Sequence, residues 1–169
     1  TDIAASHYAK DAIQWAWENG YCDGVSSMEF APDQGLSRAM LVTILWRMAE
    51  RPHEISSGFR DVPDGKWYSE AIAWAASLDL VSGAAPGLFA PDAPITREQL
   101  AVILWRYAGS PKAAAALSAY SDGEQVSAYA REAMAWAVET GILTGANDRL
   151  MPKSGATRAQ AVLMLQRFD

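Results

Sequence analysis

The sequence predicts an all-α domain built from three tandem helix-loop-helix repeats. Three observations carry this reading. The chain repeats itself: Asp61 follows Asp2 by 59 residues, and the same offset sets Trp74 on Trp15 and Ile103-Leu104-Trp105-Arg106 on Ile44-Leu45-Trp46-Arg47. Self-similarity at such a period marks a repeat architecture. Apolar residues recur at helical spacing, as in Ala71, Trp74, Ala75 and Leu78. No alternating strand pattern of useful length interrupts them.

The third copy begins near Tyr120. Asp122 follows Asp61 by 61 residues, Trp136 follows Trp74 by 62, and Arg158 follows Arg97 by 61. It therefore carries one extra residue in its first loop and one fewer in its second, and it is the most divergent copy. The repeats divide the chain at 1–52, 53–112 and 113–169, which together form one compact module.

Each repeat opens with a loop holding an aspartate: Asp2, Asp61 or Asp122. Helix A follows, over 8–19, 67–78 and 129–140. Gly20 and Gly141 stop it with the backbone freedom a C-terminal cap needs, and Asp79 takes that place in the second repeat. A loop of turn-forming residues comes next, with Gly83, Pro86, Gly87, Pro91 and Pro94 in repeat 2. Helix B starts behind Ser37, Thr96 and Thr157, whose hydroxyls suit an N-cap. The run Leu100-Ala101-Val102-Ile103-Leu104-Trp105 is apolar on most faces and so belongs inside. The connector 51–58 is polar and reads as loop, whereas the alanines in 110–119 predict a short extra helix. A single unit cannot bury both its helices; stacked units share a core, and three of them can close around a pseudo-threefold axis.

The chain has 169 residues, half of them apolar and a fifth charged, with a net charge of −6. That acidity argues against nucleic acid, whose phosphates need a basic surface. No apolar run approaches the roughly 20 residues that span a bilayer, so membrane insertion is not expected. One cysteine, Cys22, and two histidines, His7 and His53, make a His/Cys zinc site unexpected, and no cofactor is implied. Cys22 aligns with Val81 and Leu143 and reads as a small buried residue. No nucleophile elbow, phosphate loop or His-Glu-x-x-His motif is present, so the expectation is a non-enzymatic protein. No signal peptide opens the chain, which reads as a mature form or a fragment.

The residues from Phe59 through Asp61-Val62, Trp67-Tyr68, Trp74-Ala75, Gly83, Phe89-Ala90-Pro91 and Ile95-Thr96-Arg97-Glu98-Gln99 to Leu104 resemble an S-layer homology repeat. The resemblance covers nearly the whole chain. Its most specific part is a Thr-Arg-Ala-Glu type motif, which stands here as Ser37-Arg38-Ala39-Met40, Thr96-Arg97-Glu98-Gln99 and Thr157-Arg158-Ala159-Gln160. All three copies keep the hydroxyl and the arginine. The resemblance implies a pseudo-trimer around a central three-helix bundle. It further implies grooves between repeats that bind a secondary cell wall polymer, often one carrying pyruvylated N-acetylmannosamine. On that basis the module anchors a larger surface protein or enzyme to the bacterial wall, outside the cell, with peptidoglycan itself as a further possible ligand.

The candidate site residues have independent chemical readings. A hydroxyl at Ser37, Thr96 or Thr157, with free amides at a helix N-terminus, favours an anion. Arg38, Arg97 and Arg158 add a planar fork matched to a carboxylate such as that of a pyruvate ketal. The competing reading has each arginine bridge to an opening aspartate, Asp2, Asp61 or Asp122, of the next repeat. Closure would then set Arg38 against Asp61 and Trp67, Arg97 against Asp122 and Tyr129, and Arg158 against Asp2 and Tyr8. Tyr8, Trp67 and Tyr129, where the opening loop meets helix A, can stack on a sugar ring, whereas Trp15, Trp74, Trp136, Trp46 and Trp105 read as core. Gly24, Gly83 and Gly145 serve either a turn of positive φ or close approach of backbone to ligand. The rival reading of the whole chain is an α-helical scaffold for protein partners or self-assembly, which predicts an exposed apolar patch.

Overall fold

The computed structural model describes residues 2–54 and 56–169. Among them six α-helices form, two per repeat: α1 (Lys10–Glu18), α2 (Arg38–Met48), α3 (Ser69–Ser77), α4 (Arg97–Tyr107), α5 (Arg131–Glu139) and α6 (Arg158–Phe168). Only isolated bridges, and no strands, occur among the described residues.

The predicted stop signals work as the sequence implies. Gly20, Asp79 and Gly141 are all left-handed, at φ of 67°, 55° and 75°. Each amide returns to the helix, Gly20 to the Trp17 carbonyl at 3.0 Å and Asp79 to Ala76 at 3.0 Å. This pattern satisfies carbonyls that a helix end otherwise leaves open. The start signals also hold. Ser37, Thr96 and Thr157 accept from the amides of Met40, Gln99 and Gln160, and Gln99 and Gln160 return the bond in full capping boxes.

Neighbouring repeats share helices. The second helix of one repeat packs on the first helix of the next: α2 on α3, α4 on α5, and α6 back on α1. The last pair closes the ring. The residues before α2, α4 and α6 lock together at the axis in a cyclic set of backbone bonds. Leu36 N–H donates to Ala156 at 2.9 Å, Ala156 to Ile95 at 2.8 Å, and Ile95 to Leu36 at 3.0 Å. All three residues are buried, so each bond forms away from competing water. At the far end the rings of Tyr107 and Phe168 meet at 5.8 Å, bringing α4 and α6 together again. The central three-helix bundle is thus α2, α4 and α6. Leu41, Leu45, Leu100, Leu104, Val162 and Leu165 are fully buried along it.

Trp74 and Trp136 are buried as expected, and Trp15, Trp46 and Trp105 are half-buried against the core. Trp46 and Trp105 each donate from the indole to a connector carbonyl, of Pro52 and Pro111, at 2.8 Å. Cys22 is buried and free.

The connector between repeats 2 and 3 departs from expectation. Helix is confined to a 3₁₀ turn at Leu117–Ala119, and the alanine run before it is extended. Its side chains alternate between half-buried and exposed. The Glu139 carboxylate accepts the amides of Ala114 and Ala115 at 2.7 and 3.2 Å, which diverts them from helical pairing. Helix propensity is a weak preference that such tertiary contacts override.

Candidate functional site

The opening aspartates brace their own repeats. Asp61 accepts the amides of Phe89 at 2.8 Å and Ala90 at 2.7 Å. Asp2 does the same with Phe30 and Ala31, and Asp122 with Leu150 and Met151. The second residue of each pair is left-handed, with φ of 56° at Ala31, 59° at Ala90 and 53° at Met151. The carboxylate therefore holds a bend that side-chain sterics resist. At Asp61 and Asp122 burial pushes the carboxyl up, and the paired amide bonds outweigh it, so both sit below the ordinary carboxylate value. At Asp2 the Phe30 amide leads the same lowering.

The motif arginines grip the same bend from the neighbouring repeat. Nε of Arg38 donates to the Phe89 carbonyl at 2.9 Å, Arg97 to Leu150 at 2.8 Å, and Arg158 to Phe30 at 2.8 Å. Phe30, Phe89 and Leu150 are thus each held at the amide by an aspartate and at the carbonyl by an arginine. Arg38 and Arg158 also lie over the rings of Phe89 and Phe30, at 4.6 and 4.4 Å. All three arginines are buried. They bond carbonyls of the next repeat, not its aspartates; the ionic partner of Asp122 is Arg149, at 3.7 Å.

The helix-start amides expected to face an anion are occupied. The amides of Arg38 and Ala39 donate to Ala93 and Pro91, those of Arg97 and Glu98 to Ser154 and Pro152, and those of Arg158 and Ala159 to Gln34 and Pro32. The following amide goes to the capping hydroxyl. These bonds stitch each repeat to the next.

What remains open are clefts between repeats. One, of about 330 Å³, joins Arg38 of repeat 1, Gly83 and Arg106 of repeat 2, and Tyr129 of repeat 3. Another, of about 460 Å³, joins Arg97 of repeat 2, Gly145, Thr157 and Arg167 of repeat 3, and Tyr8 of repeat 1. Each cleft thus takes its aromatic residue from one repeat further round the ring than expected. Arg38 meets Tyr129, and Arg97 meets Tyr8; the expected partners were Trp67 and Tyr129. By alignment Arg158, Arg47 and Trp67 hold the third, ring-closing position, whereas Gly24 lines a different cleft, beside Trp17 and Met28. Tyr8, Trp67 and Tyr129 are all more than half exposed.

Arg106 and Arg167 are functional candidates that the motif-based reading passed over. Arg106 donates to the Leu80 carbonyl and the Ser82 hydroxyl, at 3.3 and 3.1 Å. Arg167 donates to Ile142 and Thr144, at 3.3 and 3.4 Å. Their signal was the recurrence of an arginine late in an otherwise apolar helix, at Arg47, Arg106 and Arg167. Glu98 was missed as well. It is buried and accepts from the Ser127 amide and hydroxyl, the Tyr129 hydroxyl and Lys153. Burial raises its carboxyl, and these donors, Lys153 foremost, bring it below the ordinary value. Burial and the Glu98 charge push the Tyr129 hydroxyl up, so it stays protonated and donates.

The loop glycines have a reason that differs between copies. Only Gly145 has positive φ. At Gly24 and Gly83 a Cβ would lie 2.6 Å from the carbonyl oxygens of Glu29 and Leu88. The constraint there is close approach of the loop to itself.

A separate cleft of about 360 Å³ opens on the outer side of repeat 1, beside Trp17 and Met28. Trp17 aligns with Ala76 and Val138, so this feature belongs to repeat 1 alone.

Fold and clefts define a closed three-repeat module with ligand-sized, arginine-lined grooves between repeats. The S-layer homology domain model matches residues 1–39, 58–101 and 119–162, and the chain belongs to that family. It is 31% identical over 166 residues to the surface-layer 125 kDa protein of Lysinibacillus sphaericus, covering 96% of this chain and 14% of that protein. It is 28% identical over 165 residues to an amylopullulanase of Thermoanaerobacterium thermosulfurigenes, covering 94% of this chain and 9% of the enzyme. It is 27% identical over 177 residues to the S-layer protein sap of Bacillus anthracis, covering 99% of this chain and 21% of that protein. The chain therefore spans between 9% and 21% of the length of these relatives. In S-layer proteins and cell-surface enzymes alike, the shared part is a non-catalytic, wall-anchoring module.

Proposed function

We propose that this module anchors its parent protein non-covalently to the bacterial cell wall by binding an anionic, pyruvylated, N-acetylmannosamine-containing secondary cell wall polysaccharide in its inter-repeat grooves. Its place is the extracellular cell surface. One observation carries the reading. In a chain of net charge −6, two clefts each bring a pair of guanidinium groups from different repeats beside an exposed tyrosine. Arg38 and Arg106 line one, and Arg97 and Arg167 the other. Among the described residues the Arg97 guanidinium donates only through Nε, which leaves its terminal nitrogens for a carboxylate. Tyr8 and Tyr129 offer a ring face to the sugar, and Gly83 and Gly145 allow the tight loops that line the two clefts. The aspartates and capping hydroxyls hold this frame, with Thr157 at the cleft edge.

Long-range attraction is unfavourable at this net charge, so recognition is short-range and bidentate. Titration calorimetry against purified wall polymer, native and with the ketal removed by mild acid, tests the reading. Binding lost on ketal removal and weakened in Arg106→Ala and Arg167→Ala is the expected result. Equal binding to both forms would keep wall anchoring and remove the carboxylate from it, and binding to bare peptidoglycan would move the ligand there. One observation favours the rival protein-contact reading: Trp17 and Met28 are about two thirds exposed side by side on repeat 1. A folded domain that binds no wall material would support it.

A further inference from the structure

Tyr129 and Tyr8 reach their clefts in different company. Glu98, at the second position of α4, is buried, and Ala39 and Ala159 take its place in the other two repeats. Lys153 aligns with Asp33 and Asp92, so it too is an exception among the copies. The two exceptions meet: the Lys153 ammonium lies 2.8 Å from the Glu98 carboxylate. The same carboxylate accepts from the Ser127 amide at 3.0 Å, the Ser127 hydroxyl at 2.8 Å and the Tyr129 hydroxyl at 3.1 Å. Repeat 2 therefore holds the aromatic residue that repeat 3 presents to the Arg38 and Arg106 cleft.

An ionised carboxylate only accepts, so the Tyr129 phenol is committed as a donor to Glu98. Its oxygen is left to the cleft as an acceptor. A buried carboxylate met by four donors is a rigid anchor, because leaving any of them unpaired away from water is costly. The Arg97 and Arg167 cleft lacks this clamp. Ala159 and Asp33 stand where Glu98 and Lys153 would, and Asp33 lines that cleft. Tyr8 is stacked on its neighbour His7, with ring centroids 4.7 Å apart.

We propose that Glu98 is a positioning residue for ligand binding in the Arg38 and Arg106 cleft: it fixes the Tyr129 ring before the ligand arrives and turns the phenol oxygen into an acceptor for a ligand hydroxyl or amide. This rests on the proposed function above, which makes that cleft a glycan site. A side chain already held in its bound geometry adds no ordering cost on binding. The two clefts therefore differ in kind: one is preformed around Tyr129, and in the other the Tyr8 side chain is ordered by the ligand.

The test is amide-resolved NMR titration of the whole domain with the methyl glycoside of pyruvylated N-acetylmannosamine. Gly83 reports the Arg38 cleft and Gly145 the Arg97 cleft. Glu98→Ala combined with Lys153→Met removes the clamp and keeps the net charge. This pair is expected to weaken the affinity read at Gly83 about threefold to tenfold and to leave that at Gly145 unchanged. Tyr129→Phe keeps the ring and removes its bond to Glu98, and it is expected to give the same loss. In the Tyr129→Phe background the pair then adds nothing further, because both changes break one interaction. Equal weakening by the pair in both backgrounds would make Glu98 a structural residue only and overturns the inference. An unchanged Gly83 affinity in Tyr129→Phe overturns it as well, and decides the matter if the pair variant does not fold. In the unsubstituted domain, a response at Gly145 without one at Gly83 overturns the inference and leaves the proposed function standing. Silence of both glycines overturns that reading and this inference with it.

Discussion

Arg158 reaches Phe30 across 128 residues of chain: Nε donates to the Phe30 carbonyl at 2.8 Å while the guanidinium lies over the ring. This contact closes repeat 3 onto repeat 1. Removing the guanidinium leaves a buried carbonyl unpaired and abolishes a desolvated cation–π contact. Arg158→Met is therefore expected to destabilise the domain by about 2–4 kcal/mol. Lysine is not expected to rescue it, because it lacks the planar fork. Denaturant unfolding of the two variants measures both expectations.

Arg106 and Arg167 are less buried and make long bonds within their own repeats, so their loss should be felt mainly in binding. Alanine at either position is expected to weaken glycan binding roughly tenfold or more, the value of a charge-assisted bond, with stability changed by less than about 1 kcal/mol. A variant that loses binding and melting temperature together would reassign that arginine to the frame.

Asp79 adopts the left-handed conformation that glycine holds at the aligned Gly20 and Gly141. Glycine carries no Cβ penalty there, so Asp79→Gly is expected to stabilise the domain by about 0.5–1 kcal/mol. Thermal unfolding gives the sign directly.

Acid should loosen the ring. Asp61, Asp122 and Glu98 titrate below their ordinary values in the folded domain. The unfolded chain thus takes up these protons first as pH falls. The stability they contribute is complete above the unfolded values, roughly pH 4–4.5, and is lost as pH drops through the lower folded values. Urea unfolding at about pH 7, 5 and 3.5 should show little change over the first step and a clear loss over the second. Glu98→Gln should reduce that loss, and an unchanged acid slope would remove Glu98 from the account.

Much of this molecule is legible locally. Apolar spacing marks helix A, hydroxyl residues mark the start of helix B, and Gly20 and Gly141 mark two of the stops of helix A, because each signal acts within a turn or two of chain; that Asp79 does the same in repeat 2 is seen only in the fold. The alanine run at 113–116 predicts a helix that does not form, for the complementary reason. Its amides are taken by Glu139, a residue about 25 positions away, and propensity contains no information about such a partner.

The number of repeats, their helices and most caps, and the family are written in the chain, since these rest on periodicity and local motifs. Which residues share a groove follows from the packing of the repeats. Arg38 meets Tyr129, and Arg97 meets Tyr8, because the ring rotates each opening loop past its neighbour's bend. That packing also decides that the helix-start amides are consumed by the next repeat's carbonyls, leaving Arg106 and Arg167 as the accessible cations. Those outcomes depend on how three rigid units close around an axis, and the backbone bonds that set the closure leave no side-chain pattern to read.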